Sequence, residues 1–115
     1  MARVVAYVPD LLFGSQVVGA LRAGDHEVEL VSVLERLDPG VDVLIVDLTA
    51  DPGERIAQVE ALPTEGVKLL AFYSHVEAEV RSQAEEAGFD LVVPRSRMAR
   101  EGSPLVARLA AGPPA

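Results

Sequence analysis

The 115-residue sequence predicts an α/β fold, with one five-stranded parallel sheet held between two layers of helices. Three observations carry that expectation. Apolar runs recur at regular spacing along the chain, and the stretches between them switch to helical periodicity. Three of the runs (VVAYV, VLIV and VKLLAF) are nearly continuous and rich in branched residues, as strands buried on both faces are. Alternation of this kind implies βα units wound onto a shared parallel sheet.

The first strand falls at residues 4–8. Leu12, Phe13, Val17, Ala20 and Leu21 then repeat at three or four residues, with Gly24 as the stop. The second run, at 28–33, begins within Glu27-Val28-Glu29-Leu30-Val31, whose alternation reads as a half-exposed edge strand. His26, beside it, is expected to be exposed. Residues 34–40 leave room for one or two helical turns at most. The third strand, at 43–46, precedes a short helix marked by Ile56, Val59 and Leu62 and ended by Pro63. The fourth, at 67–72, precedes a helix marked by Val76, Val80, Ala84 and Ala87 and closed by Gly88. A very short fifth strand at 91–93 forms the other edge. A last helix follows, starting at Ser103-Pro104 and marked by Leu105, Leu109 and Ala110.

The order is therefore βα repeated five times, with strand order 2-1-3-4-5, because the two weaker strands belong at the edges. Ser32-x-x-Glu35, Asp51-Pro52-Gly53-Glu54 and Ser74-x-x-Glu77 each read as a helix start. Residues 1–111 make a single domain, and 112–115 read as a frayed end.

Composition bounds the function. Half of the residues are apolar and 24% are charged, which is ordinary for a globular chain. With no cysteine, disulfides, thiolate metal sites and cysteine nucleophiles are excluded. No apolar run approaches the ~20 residues needed to span a bilayer, and the first residues lack the pattern of a signal peptide. A cytoplasmic protein without membrane contact is expected.

The net charge of −8 disfavours nucleic acid as a partner. That charge is uneven: residues 1–93 carry six bases and 17 acids, whereas residues 94–115 carry four arginines and one acid. A basic tail on an acidic body suits an anion, a docking face, or a simply solvated last helix.

Ligands of open parallel sheets bind beyond the carboxyl ends of the strands, where strand order reverses, here between the first and third strands. Asp10, Asp47, Tyr73, Ser74, His75 and the segment Pro94-Arg95-Ser96-Arg97 converge on that rim. No Gly-x-Gly-x-x-Gly or Walker-type loop supplies a nucleotide cradle, and no nucleophile–histidine–acid arrangement is visible. Phe13-Gly14-Ser15 would let a phosphate approach backbone donors, or Gly14 and Gly19 would allow close helix–sheet packing. Asp10 reads as an N-cap or a ligand, and His75, in a helix's first turn, as a surface group or a base. For Asp47, backbone hydrogen bonds in its own loop, a remnant anion or metal position, and phosphoacceptance all remain open.

Over essentially its whole length the chain resembles the receiver domain of two-component response regulators, a flavodoxin-like fold. "DVLIVDL" resembles the receiver's third strand, which ends in the phosphate-accepting aspartate, here Asp47. "QAEEAGFDLVVPR" resembles the fourth helix and fifth strand, which places the active-site lysine position at Arg95. The hydroxyl residue after the fourth strand falls on Tyr73 or Ser74.

The departures from the family pattern are informative. Receivers hold magnesium with two adjacent acids after the first strand, whereas this chain has Tyr7-Val8-Pro9-Asp10. Asp10 and Asp47, with Asp51 as a further donor, make a weak magnesium cage. The lysine is replaced by arginine, and the usual methionine–proline pair is absent.

The resemblance thus implies a degenerate form, a pseudo-receiver: a non-enzymatic signalling module with no cofactor beyond that weak magnesium position. It would bind a protein partner, or itself as a homodimer, on the side between the fourth and fifth helices, near Arg95, Arg97 and Arg100. Two alternatives stand beside it. One is binding of a small anion or phosphorylated metabolite by Arg95, Arg97, Arg100 and His75. The other is atypical phosphoacceptance at Asp47.

Overall fold

Five strands and four helices make up the computed structural model, which describes residues 1–112. In chain order they are β1 (Arg3–Tyr7), α1 (Leu11–Ala23), β2 (Glu27–Val31), β3 (Val43–Asp47), α2 (Pro52–Glu60), β4 (Lys68–Tyr73), α3 (Ala78–Glu86), β5 (Leu91–Pro94) and α4 (Arg95–Ala111). Most of the expected frayed end, residues 113–115, lies outside the described residues. No helix among those described is long and apolar enough to cross a membrane.

All strand pairs are parallel, and the sheet runs β2-β1-β3-β4-β5, the order and edges that the apolar runs predict. Every residue of β3 is buried, because the central strand is covered on both faces, whereas β2 alternates between half-buried and exposed. Successive side chains point to opposite faces, which divides the core in two. Val4, Ala6, Val8, Ile45 and Phe72 lie on the face covered by α1 and α4. Val5, Tyr7, Leu44, Val46 and Ala71 lie on the face covered by α2 and α3. Phe13 of α1 meets Phe72 with ring centroids 5.0 Å apart. Gly14 lets α1 approach this closely, since a Cβ there would lie 3.0 Å from Leu30 Cδ1. Gly19 faces open space, so the packing role expected of it does not hold.

Several local expectations are corrected. There are four helices, not five, because residues 32–42 form none. Leu34 and Val41 are buried there and Leu37 half-buried, so a loop fills the layer that a helix would occupy. Pro39-Gly40, with Gly40 at φ 90°, ends the segment before a helix can recover its nucleation cost. Ser32 and Glu35 therefore cap nothing. The Ser74-x-x-Glu77 segment is a turn, with the Glu77 N–H donating to the Ser74 carbonyl at 2.9 Å, and α3 begins only at Ala78. Val76 is consequently 75% exposed rather than helical core.

Pro52 does open α2, but Asp51 before it is left-handed (φ 46°) and its side chain makes no capping bond. The last helix starts at Arg95 and passes straight through Ser103-Pro104. Pro104 is tolerated inside it because its ring faces solvent, although its missing N–H leaves the Arg100 carbonyl without its intrahelical donor.

His26 is buried at 6% exposure, contrary to expectation, because it precedes β2 and packs beneath the start of β1. Its Nδ1 accepts the Ala2 N–H at 3.0 Å, joining the residues that immediately precede two neighbouring strands. His26→Phe keeps the bulk and orphans that buried donor. The expected loss is about 2 kcal/mol, read as a lower urea midpoint at unchanged slope.

Candidate functional site

The rim is assembled from the ends of β1, β3, β4 and β5. Beyond β1, Asp10 adopts an extended conformation and its Oδ1 accepts the N–H groups of Leu12 (3.1 Å) and Phe13 (3.2 Å), which makes it the N-cap of α1. Its Oδ2 lies 3.5 Å from Arg95 Nη2. The Arg95 guanidinium carbon sits 4.1 Å from the Phe13 ring centroid. A salt bridge and a cation–π contact thus tie the first residue of α4 to the first turn of α1.

Asp47 ends β3 and is 3% exposed. Its Oδ1 accepts the Thr49 N–H at 2.8 Å and also the Thr49 hydroxyl. Its Oδ2 faces Arg55 Nη1 at 3.7 Å, and the same Nη1 donates to the Asp47 carbonyl oxygen at 2.8 Å. Arg55 also lies 5.8 Å from the Tyr7 ring centroid, and the Tyr7 hydroxyl donates to Gln58 Oε1 at 2.8 Å. Both members of the pair are enclosed, with side chains 12% (Arg55) and 4% (Asp47) exposed. Asp47 is therefore the anion of an internal network fastening α2 to the end of β3. Arg55 and Thr49 do not emerge from sequence reasoning as site residues. The available signal is that Arg55 and Val59, four apart, share the face of α2 that packs on the sheet.

The remaining candidates divide into two groups. Asp10, Thr49, Ser74, His75, Arg95 and Ser96 line an open cleft of about 600 Å³ between the starts of α1 and α4 and the β4–α3 turn. Tyr73 is the buried last residue of β4, so the hydroxyl at the rim is that of Ser74. His75 is exposed and lies in the turn before α3, not in the helix's first turn. Arg97 and Arg100 do not line this cleft. Arg97 pairs instead with Glu101 on its own helix, Nε to Oε2 at 3.2 Å, and Arg100 projects into solvent.

The residues do not fit magnesium, a hard ion that needs several free oxygen donors. Asp10 is spent on the α1 cap and Arg95, and Asp47 on Thr49 and Arg55. Among the described residues, no group of three or more His, Asp or Glu side chains could hold a metal ion.

No protein-family model matches the sequence, and no curated protein matches it either. Solved structures do match in shape. The non-phosphorylated receiver domain of HemR from Leptospira biflexa superposes with a TM-score of 0.79 at 15% identity, covering 100% of this chain and 98% of that one. A response regulator from Thermotoga maritima gives 0.79 at 14%, covering 97% and 99%. A protein described as an atypical orphan response regulator with a phosphorylation-independent regulatory mechanism gives 0.73 at 13%, covering 96% of each. Identities this low speak for architecture, and with the strand order, the near-complete mutual coverage and an aspartate at the end of β3, they show that the chain has the fold of response-regulator receiver domains.

Proposed function

We propose that the chain is a receiver-like signalling module that works without phosphoryl transfer, a pseudo-receiver whose output is contact with a protein partner or a second copy of itself. The observation that carries this reading is the engagement of Asp47. Both of its carboxylate oxygens face internal donors, and the side chain is almost wholly enclosed. A carboxylate in that position serves as a structural counter-ion and is poorly placed to attack phosphorus. Proline and the helix-capping Asp10 where receivers keep their acid pair, and arginine in place of the lysine, support the same reading. So does the likeness to the atypical regulator described as phosphorylation-independent. In this reading the protein is a cytoplasmic non-enzyme that needs no cofactor.

Incubation with a small phosphodonor and magnesium, followed by intact-mass spectrometry, tests it. The expected spectrum shows no phosphoryl adduct. An adduct that forms on the native protein and disappears in Asp47→Asn would overturn the reading in favour of phosphoacceptance. The cleft beside Arg95 and His75 favours a second reading, capture of a small anion or phosphorylated metabolite there. A rise in Tm with inorganic phosphate, without an adduct, would support that one.

A further inference from the structure

Apart from Met1, the large apolar side chains left exposed among the described residues are Leu11, Leu12, Val33 and Val76, each 61% to 76% exposed. All four lie just beyond the carboxyl ends of strands. Leu11 and Leu12 open α1 after β1, Val33 follows β2, and Val76 follows β4. Because the sheet is wholly parallel, these ends point the same way, so the four side chains belong to one rim. Exposed apolar groups scattered singly need no explanation, but their restriction to one edge marks a surface meant to be covered.

The same rim is electrically two-sided. On the α1/α4 layer, Arg95, Arg97 and Arg100 at the start of α4 stand against two acids, Asp10 paired with Arg95 and Glu101 paired with Arg97, which leaves a net positive charge. On the α2/α3 layer, Glu54 and Glu79 lie in the first turns, with Asp51 and Glu77 just before them.

We infer that this rim is a self-association surface, and that it joins two copies about a two-fold axis lying in the plane of the rim and running across the strands. This rests on the reading of the chain as a contact module and specifies its partner as a second copy. Rotation about that axis preserves strand order and exchanges the two layers. The arginine side of each copy then faces the acidic side of the other, and Leu11 and Leu12 come over the loop that carries Val33. Such a contact is isologous and closes at two subunits. Apolar burial supplies its affinity, and the crossed charges set its register and disfavour the other rim-to-rim two-fold, with its axis perpendicular to the sheet, which would lay each layer over its own like-charged counterpart. The side formed by α3, β5 and α4 exposes no large apolar residue among those described, so the rim is the better candidate for the contact.

Sedimentation equilibrium from about 5 μM to about 500 μM protein tests the inference. The native chain is expected to dimerise reversibly, and to do so at least tenfold less tightly at about 0.5 M salt than at about 0.05 M. Leu11→Ser/Leu12→Ser, whose side chains are exposed and whose fold circular dichroism would verify, is expected to remain monomeric throughout. Since the chain has no cysteine, Leu12→Cys mixed with Val33→Cys should give a disulfide-linked dimer on mild oxidation, in higher yield than either variant alone. A native chain that stays monomeric at the highest concentration would overturn the inference, as would a dimer indifferent to the double serine substitution. A monomeric protein that still takes no phosphoryl group would remove the dimer and leave the pseudo-receiver reading intact.

Discussion

Phe72→Ala is expected to destabilise the protein by about 4 kcal/mol, the upper range for truncating a buried aromatic residue. Phe72 has no exposed surface and sits on β4, one strand from the middle of the sheet. Its ring is pressed against Phe13 of α1, and its carbonyl accepts the Leu48 N–H at 2.9 Å immediately after Asp47. Truncation leaves a cavity between the sheet and the α1/α4 layer. Rigid strands on either side of β4 prevent it from collapsing, so the loss includes a cavity term as well as lost burial. A domain of this size holds about 5–15 kcal/mol in total, so much of the margin would go. Urea denaturation measures it. Phe72→Leu, which refills most of the space, is expected to lose about half as much and keeps the prediction testable if the alanine variant does not fold. A loss under about 1 kcal/mol for the alanine variant would mean that the two layers are not packed as described.

The second large effect is expected at Asp47. Asp47→Ala strands the Arg55 guanidinium in an enclosed site and orphans the Thr49 N–H, at a cost of about 3 kcal/mol and a fall in Tm of roughly 10–20 °C. Asp47→Asn keeps an acceptor for Thr49 and loses only the charge, so about half that cost is expected. In the double variant Asp47→Ala/Arg55→Met, the unpaired charge is gone and a flexible apolar chain fills its place. Stability should return by about 1–3 kcal/mol relative to Asp47→Ala, which is the coupling that a double-mutant cycle reads. An aspartate kept open for chemistry predicts the opposite pattern, with a change within about 0.5 kcal/mol on substitution and no coupling to Arg55.

What could be read from the sequence follows from how each feature is encoded. β1, β3 and β4 announce themselves because a strand covered on both faces must be apolar at nearly every position, and β2 because one-sided exposure forces alternation. The strand order followed from ranking those runs. Helix starts were less legible, because hydroxyl–x–x–acid patterns occur wherever a turn is polar. Ser74 and Glu77 make such a turn without a helix, and Ser32 and Glu35 precede a segment too short to form one. Pro104 misled because proline ordinarily opens helices, and its exposed position in α4 is set by tertiary packing. At the site, the cap on α1 and the convergence of Asp10, Ser74, His75 and Arg95 were legible from position on the rim. The pairing of Asp47 with Arg55 was not, since a charged residue on an amphipathic helix is read as solvated until the turn that buries it is known.

The missing helix after β2 has a consequence for how the molecule comes apart. β2 has a sheet partner on one side only. On its α2/α3 side Glu27 and Glu29 stay exposed, while Val31 alone joins the core half to which residues 32–42 contribute apolar side chains but no helical ladder of their own. Opening that corner breaks one strand pairing, a loop and the packing of the half-buried Val28 and Leu30 beneath α1, whereas freeing β3 requires dismantling both halves of the core. The segment from β2 to residue 42 therefore forms a separate cooperative unit with a lower opening free energy than the rest. Val33 lies within it. A partner gripping the rim at Val33 holds that unit closed, so occupancy of the surface is linked to suppression of the protein's easiest local unfolding.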